Sequence, residues 1–143
     1  MVTKRAQVSW KGDLESGTGS IDEVGSGSIG PLDVSWPART GDEAGMTSPE
    51  ELIAAAHASC FSMALSHILN EAGTPPEQLD VSAKVTFVPG EGIASSALEV
   101  TGMVPGVSPD AFAEAAESAK DTCPVSGALK GNVELTVEAR LAS

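Results

Sequence analysis

One segment of the sequence constrains the fold more than any other, because it reads as a single long helix that is apolar on nearly every side. Ser48 is a favourable N-cap, Pro49 occupies the first helical position and Glu51 follows the cap by three residues, so the segment opens with a capping box. Helix-forming residues continue from 52 to 69, and Gly73 ends the run. A helix that is apolar almost all round is buried on most sides. The sequence therefore predicts a central helix about 35 Å long around which the other elements pack.

Composition restricts both the domain organisation and the partners. The chain has 143 residues, of which 41% are hydrophobic, and this length predicts a single domain over residues 1–143. The formal net charge is −12 at pH 7. Binding to a phosphate backbone needs a positive face, so we expect no nucleic-acid partner.

Two further features bear on the compartment. Residues 1–5 are charged but lead into no apolar stretch, and polar residues interrupt the apolar run from 52 to 69. We therefore expect neither a signal peptide nor a membrane span, and predict a cytoplasmic protein. In that compartment Cys60 and Cys123 are expected to be reduced or redox-active rather than a permanent disulfide.

The remaining elements predict an α+β fold with hairpin-like, antiparallel sheets. Residues 16–30 are rich in Gly and Ser and could form a flexible linker, but recurring apolar residues favour meandering strands. Strands are predicted at 6–10, 32–36, 81–88, 93–104 and 133–137, and shorter helices at 108–120 and 123–131. Ala111, Phe112, Ala115 and Ala119 are expected to face the core from the first of these helices.

The two cysteines are the first candidates for chemistry. Cys123 stands at an N-cap position directly before Pro124, where helix N–H groups would lower the pKa of its thiol and favour the thiolate. The alternative is that it only caps the helix. Cys60 lies mid-helix on a face that includes His57 and His67, and it could equally be an inert small hydrophobic residue. No pair among these residues has a recognised metal-ligand spacing, so no metal is expected.

Arg39 is a third candidate, because it is one of few basic residues in an acidic chain. It could be a surface charge that neutralises Asp42 or Glu43. It could also direct its guanidinium at a thiolate and at a peroxide oxygen.

Three stretches carry a resemblance to a known family. Residues 47–65, TSPEELIAAAHASCFSMAL, resemble the osmotically inducible protein C branch of the OsmC/Ohr peroxidase family, and residues 9–13 and 123–126 extend the match in order along the chain. The resemblance implies an OsmC-like α+β fold with long central helices flanked by curved antiparallel sheets, in an intertwined homodimer. It also implies thiol-dependent reduction of organic hydroperoxides without a cofactor or metal, with an external dithiol, such as a lipoylated protein, as reductant.

The same resemblance implies roles for four residues. Cys60 would be the peroxidatic thiol and Cys123 the resolving thiol, Arg39 would face the reactive sulfur, and Glu50 would orient the arginine. A thiol redox sensor and a small-molecule-binding dimer with inert cysteines remain the alternatives. Glu50 and Cys60 are ten residues apart, about 15 Å along a straight helix, so we expect sites completed between two chains.

Overall fold

The protein is described here by a computed structural model that covers residues 1–41 and 45–142. Its chain divides into two compact units, residues 1–52 and 53–143. Helix and sheet are mixed in the order expected of an α+β fold. The structure is that of one chain and shows no dimer.

The first unit holds an antiparallel three-stranded sheet in the order β1-β2-β3. Its strands are β1 (Ala6–Lys11), β2 (Thr18–Val24) and β3 (Leu32–Val34). The Gly- and Ser-rich stretch is therefore a strand with its turns and not a linker. Gly19 in β2 has to be glycine, because an added Cβ would lie 2.7 Å from the Trp10 ring and 2.8 Å from the Val34 side chain.

A short helix, α1 (Trp36–Thr40), follows β3 and corrects the sequence prediction, which placed Trp36 on the strand. Ser35 is its N-cap, and the Ser35 hydroxyl accepts a hydrogen bond of 3.1 Å from the Ala38 N–H. Pro37 lies in the first turn, where its missing N–H costs nothing. This local cap outweighs the alternating pattern that suggested a longer strand.

The predicted long helix is present as α2 (Pro49–Glu71). The Ser48 hydroxyl accepts a hydrogen bond of 3.2 Å from the Glu51 N–H, while the Glu51 carboxylate accepts one of 2.9 Å from the Thr47 hydroxyl. Thr47 in turn donates its N–H to the Asp33 carbonyl, which ties the start of α2 to β3.

The expectation that α2 is buried on most sides is wrong for the single chain. One row of side chains, spaced four residues apart, is almost fully buried: His57, Phe61, Leu65 and Leu69. Another face is exposed and carries Ala55, Ala56, Ser59 and Met63, with Met63 73% exposed. The larger side chains lie on the buried row and mostly small ones on the exposed face, a difference that an overall count of apolar residues does not show.

By length and hydropathy α2 is also sufficient to cross a membrane, contrary to the expectation that its polar residues disqualify it. Phe61, Leu65 and Leu69 nevertheless belong to the hydrophobic core of the second unit. The core helix of a globular domain meets the same criteria of length and apolar content, and the packing of α2 is of that kind.

The second unit contains the other sheet, in the order β4-β5-β6. Strands β4 (Gln78–Val88) and β5 (Gly92–Met103) form the predicted antiparallel hairpin. Strand β6 (Glu134–Leu141) pairs with β5 in parallel, which corrects the prediction of purely antiparallel sheets. The reason is the connection, since α3 (Pro109–Thr122) and α4 (Pro124–Leu129) form a crossover that returns the chain to the same end of the sheet.

The core of this unit lies between α2, α3 and β5. Leu98 and Val100 of β5 pack with Phe112, Ala116 and Ala119 of α3 and with the buried row of α2. Phe112 and Ala119 face inward as predicted, and Ala115 packs against the core from a half-buried position. Ala111 is exposed, which corrects that part of the prediction.

Candidate active site

The second unit brings its two cysteines together. Cys60 is half-buried near the middle of α2, and Cys123 is buried at the junction where α3 ends and α4 begins. Both thiols are free, and each acts on the pKa of the other. The structure thus holds two reduced thiols that are close enough to influence each other.

The surroundings shift the pKa values of the two thiols in opposite directions. Burial and the hydrogen bond with the Cys123 thiol raise the pKa of Cys60, although the Val125 N–H acts in the opposite direction. Burial also acts to raise the pKa of Cys123, but hydrogen bonds from Cys60, from the Ser126 N–H and hydroxyl and from the Val125 N–H lower it overall. In the single chain the thiolate form is therefore favoured at Cys123 over Cys60.

This result agrees with the lowered pKa predicted for Cys123 from its N-cap position. The Cys123 sulfur makes no full capping hydrogen bond, so the N–H groups act from the open end of α4 at less than ideal geometry. For Cys60 the single chain has the opposite effect, because burial and the neighbouring thiol raise its pKa.

Beside the dithiol lies a fully buried histidine. His57 is 0% exposed, with Nδ1 2.6 Å from the Ser96 hydroxyl and Nε2 2.8 Å from the Ser126 hydroxyl. Burial lowers the pKa of His57, so the ring is neutral near pH 7. No local pattern in the sequence indicates a role for His57 or identifies either serine as its partner.

A signal for one serine was available. Ser96 alternates with Leu98 and Val100, so it interrupts the apolar face of β5 with a hydroxyl group. A polar residue in a buried row needs a partner. The alternation therefore predicts that Ser96 has a buried polar partner, although not which one.

The first unit brings together the other two predicted residues, Arg39 and Glu50. Arg39 lies in the last turn of α1 and Glu50 in the first turn of α2, where the carboxylate is only 8% exposed. The guanidinium binds both carboxylate oxygens at 3.0–3.2 Å. Asp42 and Glu43, the alternative partners for Arg39, lie outside the described residues.

Other ligand chemistry has little support. His67, which lies on α2 with Cys60, is exposed, whereas His57 is buried. Within residues 1–41 and 45–142 no group of three or more His, Cys, Asp or Glu side chains is arranged to hold a metal ion. The arrangement that the described residues offer is a dithiol in one unit and a carboxylate-held guanidinium in the other.

Comparisons with known proteins all identify members of one family as similar to this chain. Residues 41–138 match the family described as OsmC-like protein. The chain is 39% identical to the peroxiredoxin OsmC of Escherichia coli over 94% of both chains. It is 34% identical to the organic hydroperoxide resistance protein OhrA of Bacillus subtilis, over 64% of this chain and 66% of that protein.

Solved structures show the same fold. The crystal structure of the organic hydroperoxide resistance protein OhrB of Bacillus subtilis has a TM-score of 0.66 and 25% identity, covering 94% of this chain and 97% of that one. An organic hydroperoxide resistance protein OsmC from Legionella pneumophila has a TM-score of 0.68 and 25% identity, covering 97% of both chains.

Proposed function

Because the chain belongs to the family of OsmC-like proteins, we propose that it is a thiol peroxidase that reduces organic hydroperoxides through Cys60 and Cys123. Relatives named as a peroxiredoxin and as hydroperoxide resistance proteins support the peroxidase role. The observation that carries the mechanism is the contact between two free thiols, one of which has a lowered pKa.

The proposed reaction uses two steps that balance without a cofactor. The Cys60 thiolate attacks the hydroperoxide, its S–O bond forms as the O–O bond breaks, and the alkoxide leaves as an alcohol after taking a proton. Cys60 is then a sulfenic acid. The Cys123 thiolate attacks that sulfur, the disulfide forms as the S–O bond breaks, and the hydroxide becomes water. An external dithiol, such as a lipoylated protein, reduces the disulfide by exchange.

The proposed active site needs residues from a second chain. In one chain the Cys60 thiol has a raised pKa, so its attack needs a positive charge to stabilise the thiolate. Arg39 of the partner subunit would supply that charge and hold the peroxide oxygen, while Glu50 of the partner subunit fixes the guanidinium.

The exposed face of α2 suits a second copy of the same helix. Ala55, Ala56 and Ser59 are small enough for a close helix crossing, and Met63 presents an apolar side chain that is 73% exposed. Covering this face in a two-fold homodimer removes apolar surface from water and yields two equivalent sites. We therefore propose a homodimer whose active sites are shared between subunits.

Steady-state consumption of cumene hydroperoxide with dihydrolipoamide tests the function. The native protein should turn over many equivalents, Cys60→Ser should turn over none, and Ser62→Ala, which removes a hydroxyl bonded to the Ala58 carbonyl at 2.7 Å, should retain activity. Native protein that is oxidised once but not turned over would be a thiol sensor. Cysteines that remain reduced would indicate a binding protein with inert thiols.

A further inference from the structure

His57 is a buried titratable residue for which the proposed reaction has no use. It lies three residues before Cys60 on α2, and its ring is enclosed between the hydroxyls of Ser96 and Ser126 at 2.6 and 2.8 Å. Both serines are buried, Ser96 at 0% and Ser126 at 2% exposure. The Ser126 hydroxyl, three residues after Cys123 on α4, also acts to lower the pKa of the Cys123 thiol. A continuous chain of polar groups thus runs from β5 through α2 and α4 to the second thiol.

The direction of these hydrogen bonds follows from counting protons. A neutral imidazole has one N–H donor and one acceptor nitrogen, and each hydroxyl has one proton to donate. If the Cys123 thiolate accepts the Ser126 proton, the Ser126 oxygen is free to accept from Nε2–H of His57. Nδ1 of His57 is then an acceptor and takes the Ser96 proton. All three groups consequently donate in the same direction, towards the sulfur.

The reverse order is consistent only with a protonated Cys123. In that case the thiol donates to Ser126, Ser126 donates to Nε2, and Nδ1–H of His57 donates to Ser96. The tautomer of His57 is therefore coupled to the protonation state of Cys123.

We propose that Ser96, His57 and Ser126 form a hydrogen-bonded relay that stabilises the thiolate of Cys123 and positions it for closing the disulfide. The inference rests on the proposed peroxidase function only for the disulfide step; the effect on Cys123 itself does not require turnover. His57 and Ser126 are positioning residues here, because neither bonds the hydroperoxide nor exchanges electrons. The step stays balanced, since the thiolate attacks, the sulfenic hydroxide leaves, and that hydroxide takes its proton from solvent.

The other charged and titratable groups around this relay are few in the described part of the chain. Cys60 contacts Cys123 from α2, and the Val125 and Ser126 N–H groups face it from α4. On the far side of Ser126, Lys120, Asp121 and Lys130 line a small surface pocket. Lys120 is paired with Glu117 at 2.8 Å and lies 3.8 Å from Asp121, so its charge is largely compensated.

The test measures Cys123 alone, in full-length protein with Cys60→Ser in every sample. Thiolate absorbance near 240 nm is followed against pH for this parent, for added Ser126→Ala, and for added Ser62→Ala as the matched control. We expect Ser126→Ala to lower the thiolate fraction at pH 7 about tenfold, the equivalent of one pKa unit. Ser62→Ala should match the parent. A Ser126→Ala curve that coincides with the parent overturns the proposal.

His57 is tested by two substitutions and by its tautomer. His57→Gln retains an N–H donor towards Ser126 and should keep most of the thiolate, whereas His57→Leu should lower it as Ser126→Ala does. Nitrogen-15 NMR of the parent at a pH where Cys123 is a thiolate should show the proton of His57 on Nε2; a proton on Nδ1 contradicts the relay. If circular dichroism shows that His57→Leu does not fold, the proposal is tested by the Cys123 titration of Ser126→Ala and by the tautomer of His57.

These measurements distinguish a failure of the proposed relay from a failure of the proposed peroxidase function. A protein without hydroperoxide turnover but with the expected Cys123 titration refutes the peroxidase function and leaves the relay standing. An active native protein in which Ser126→Ala changes neither the titration nor the rate of disulfide closure after a single turnover refutes the relay and leaves the function standing.

Discussion

Arg39 and Glu50 are joined by a fork of three hydrogen bonds, in which Nε lies 3.0 and 3.2 Å from the two carboxylate oxygens and Nη2 lies 3.0 Å from one of them. The carboxylate is nearly buried in the first turn of α2, whose start is tied to β3 through Thr47. A planar guanidinium held on both oxygens has a fixed orientation. The guanidinium is therefore a preoriented positive group, although its pairing with the carboxylate leaves the pair as a whole neutral.

Mixing two inactive variants tests where this positive group acts. Glu50→Ala should lose activity because the guanidinium is no longer oriented, and Cys60→Ser should lose it because the attacking sulfur is absent. A heterodimer of the two keeps one site with both native residues if Glu50 serves Cys60 of the partner subunit. We expect hydroperoxide consumption to recover on mixing, and no recovery despite confirmed subunit exchange would contradict the shared site.

Oxidation of the reduced protein should link the two thiols within one chain. One equivalent of hydroperoxide is expected to lower the intact mass by about 2 Da, because two thiol protons are lost when the disulfide forms. Peptide mapping should recover Cys60 and Cys123 in one cross-linked species. Two free cysteines after turnover, with Cys60→Ser as the control that cannot form the bond, would rule the assignment out.

The roles of the two thiols can be separated in a single turnover. Cys123→Ser should leave the first attack intact and let Cys60 accumulate as sulfenic and then sulfinic acid, because no resolving thiol is present. Trapping with dimedone and mass spectrometry follows these species. If Cys123→Ser reacts with hydroperoxide as slowly as Cys60→Ser, the roles are reversed, as the lowered pKa of Cys123 in the single chain would allow.

The buried histidine should make stability depend on pH in acid. Burial lowers the pKa of His57 below its ordinary value of 6.5, so the unfolded state binds the proton more tightly than the folded state does. Stability is therefore full above about pH 6.5 and falls as the pH drops below it, by at most about 1.4 kcal/mol per pH unit.

Urea unfolding between pH 8 and pH 5 measures this dependence. His57→Gln should be less stable at pH 8 but should show a shallower loss in acid than the native protein. His67→Gln is the matched control, because His67 is exposed on the same helix. If the free energy of unfolding falls equally steeply with decreasing pH in the native protein and in His57→Gln, His57 is not the cause of the pH dependence.

Gly102 should tolerate no side chain. A Cβ at this position of β5 would lie 2.6 and 2.8 Å from two atoms of the Phe112 ring, and Phe112 is 1% exposed in the core. We expect Gly102→Ala to destabilise the fold by about 1–3 kcal/mol through overpacking. Gly127→Ala in α4, whose Cβ would meet nothing within 4 Å, is the control and should be neutral or slightly stabilising. Chemical denaturation of both variants compares them.

Capping residues account for much of what the sequence could predict. Ser48 and Ser108 each precede a proline, and both cap helices that start where expected. At Ser35 the cap is separated from Pro37 by Trp36, which continues the alternation of the preceding strand and so predicts a strand there. Local hydrogen bonds decided the structure at that point, whereas side-chain alternation did not.

Features that depend on contacts between residues far apart in the sequence could not be predicted from the local pattern. The alternation of β6 is the same for either strand direction, and only the crossover through α3 and α4 makes it parallel to β5. The partners of His57 lie 39 and 69 residues away, on β5 and α4. Both arrangements are set by how elements pack rather than by the local sequence.

The parallel pairing of β5 and β6 also has a consequence for biosynthesis. The β4–β5 hairpin needs only neighbouring residues, but β6 is synthesised after residues 104–133 and pairs across the whole crossover. Contacts between residues far apart in sequence form late in folding. On the ribosome the chain therefore presents the unpaired edge of β5 until β6 has emerged. A nascent chain should consequently be most sensitive to aggregation through this edge during the synthesis of the crossover.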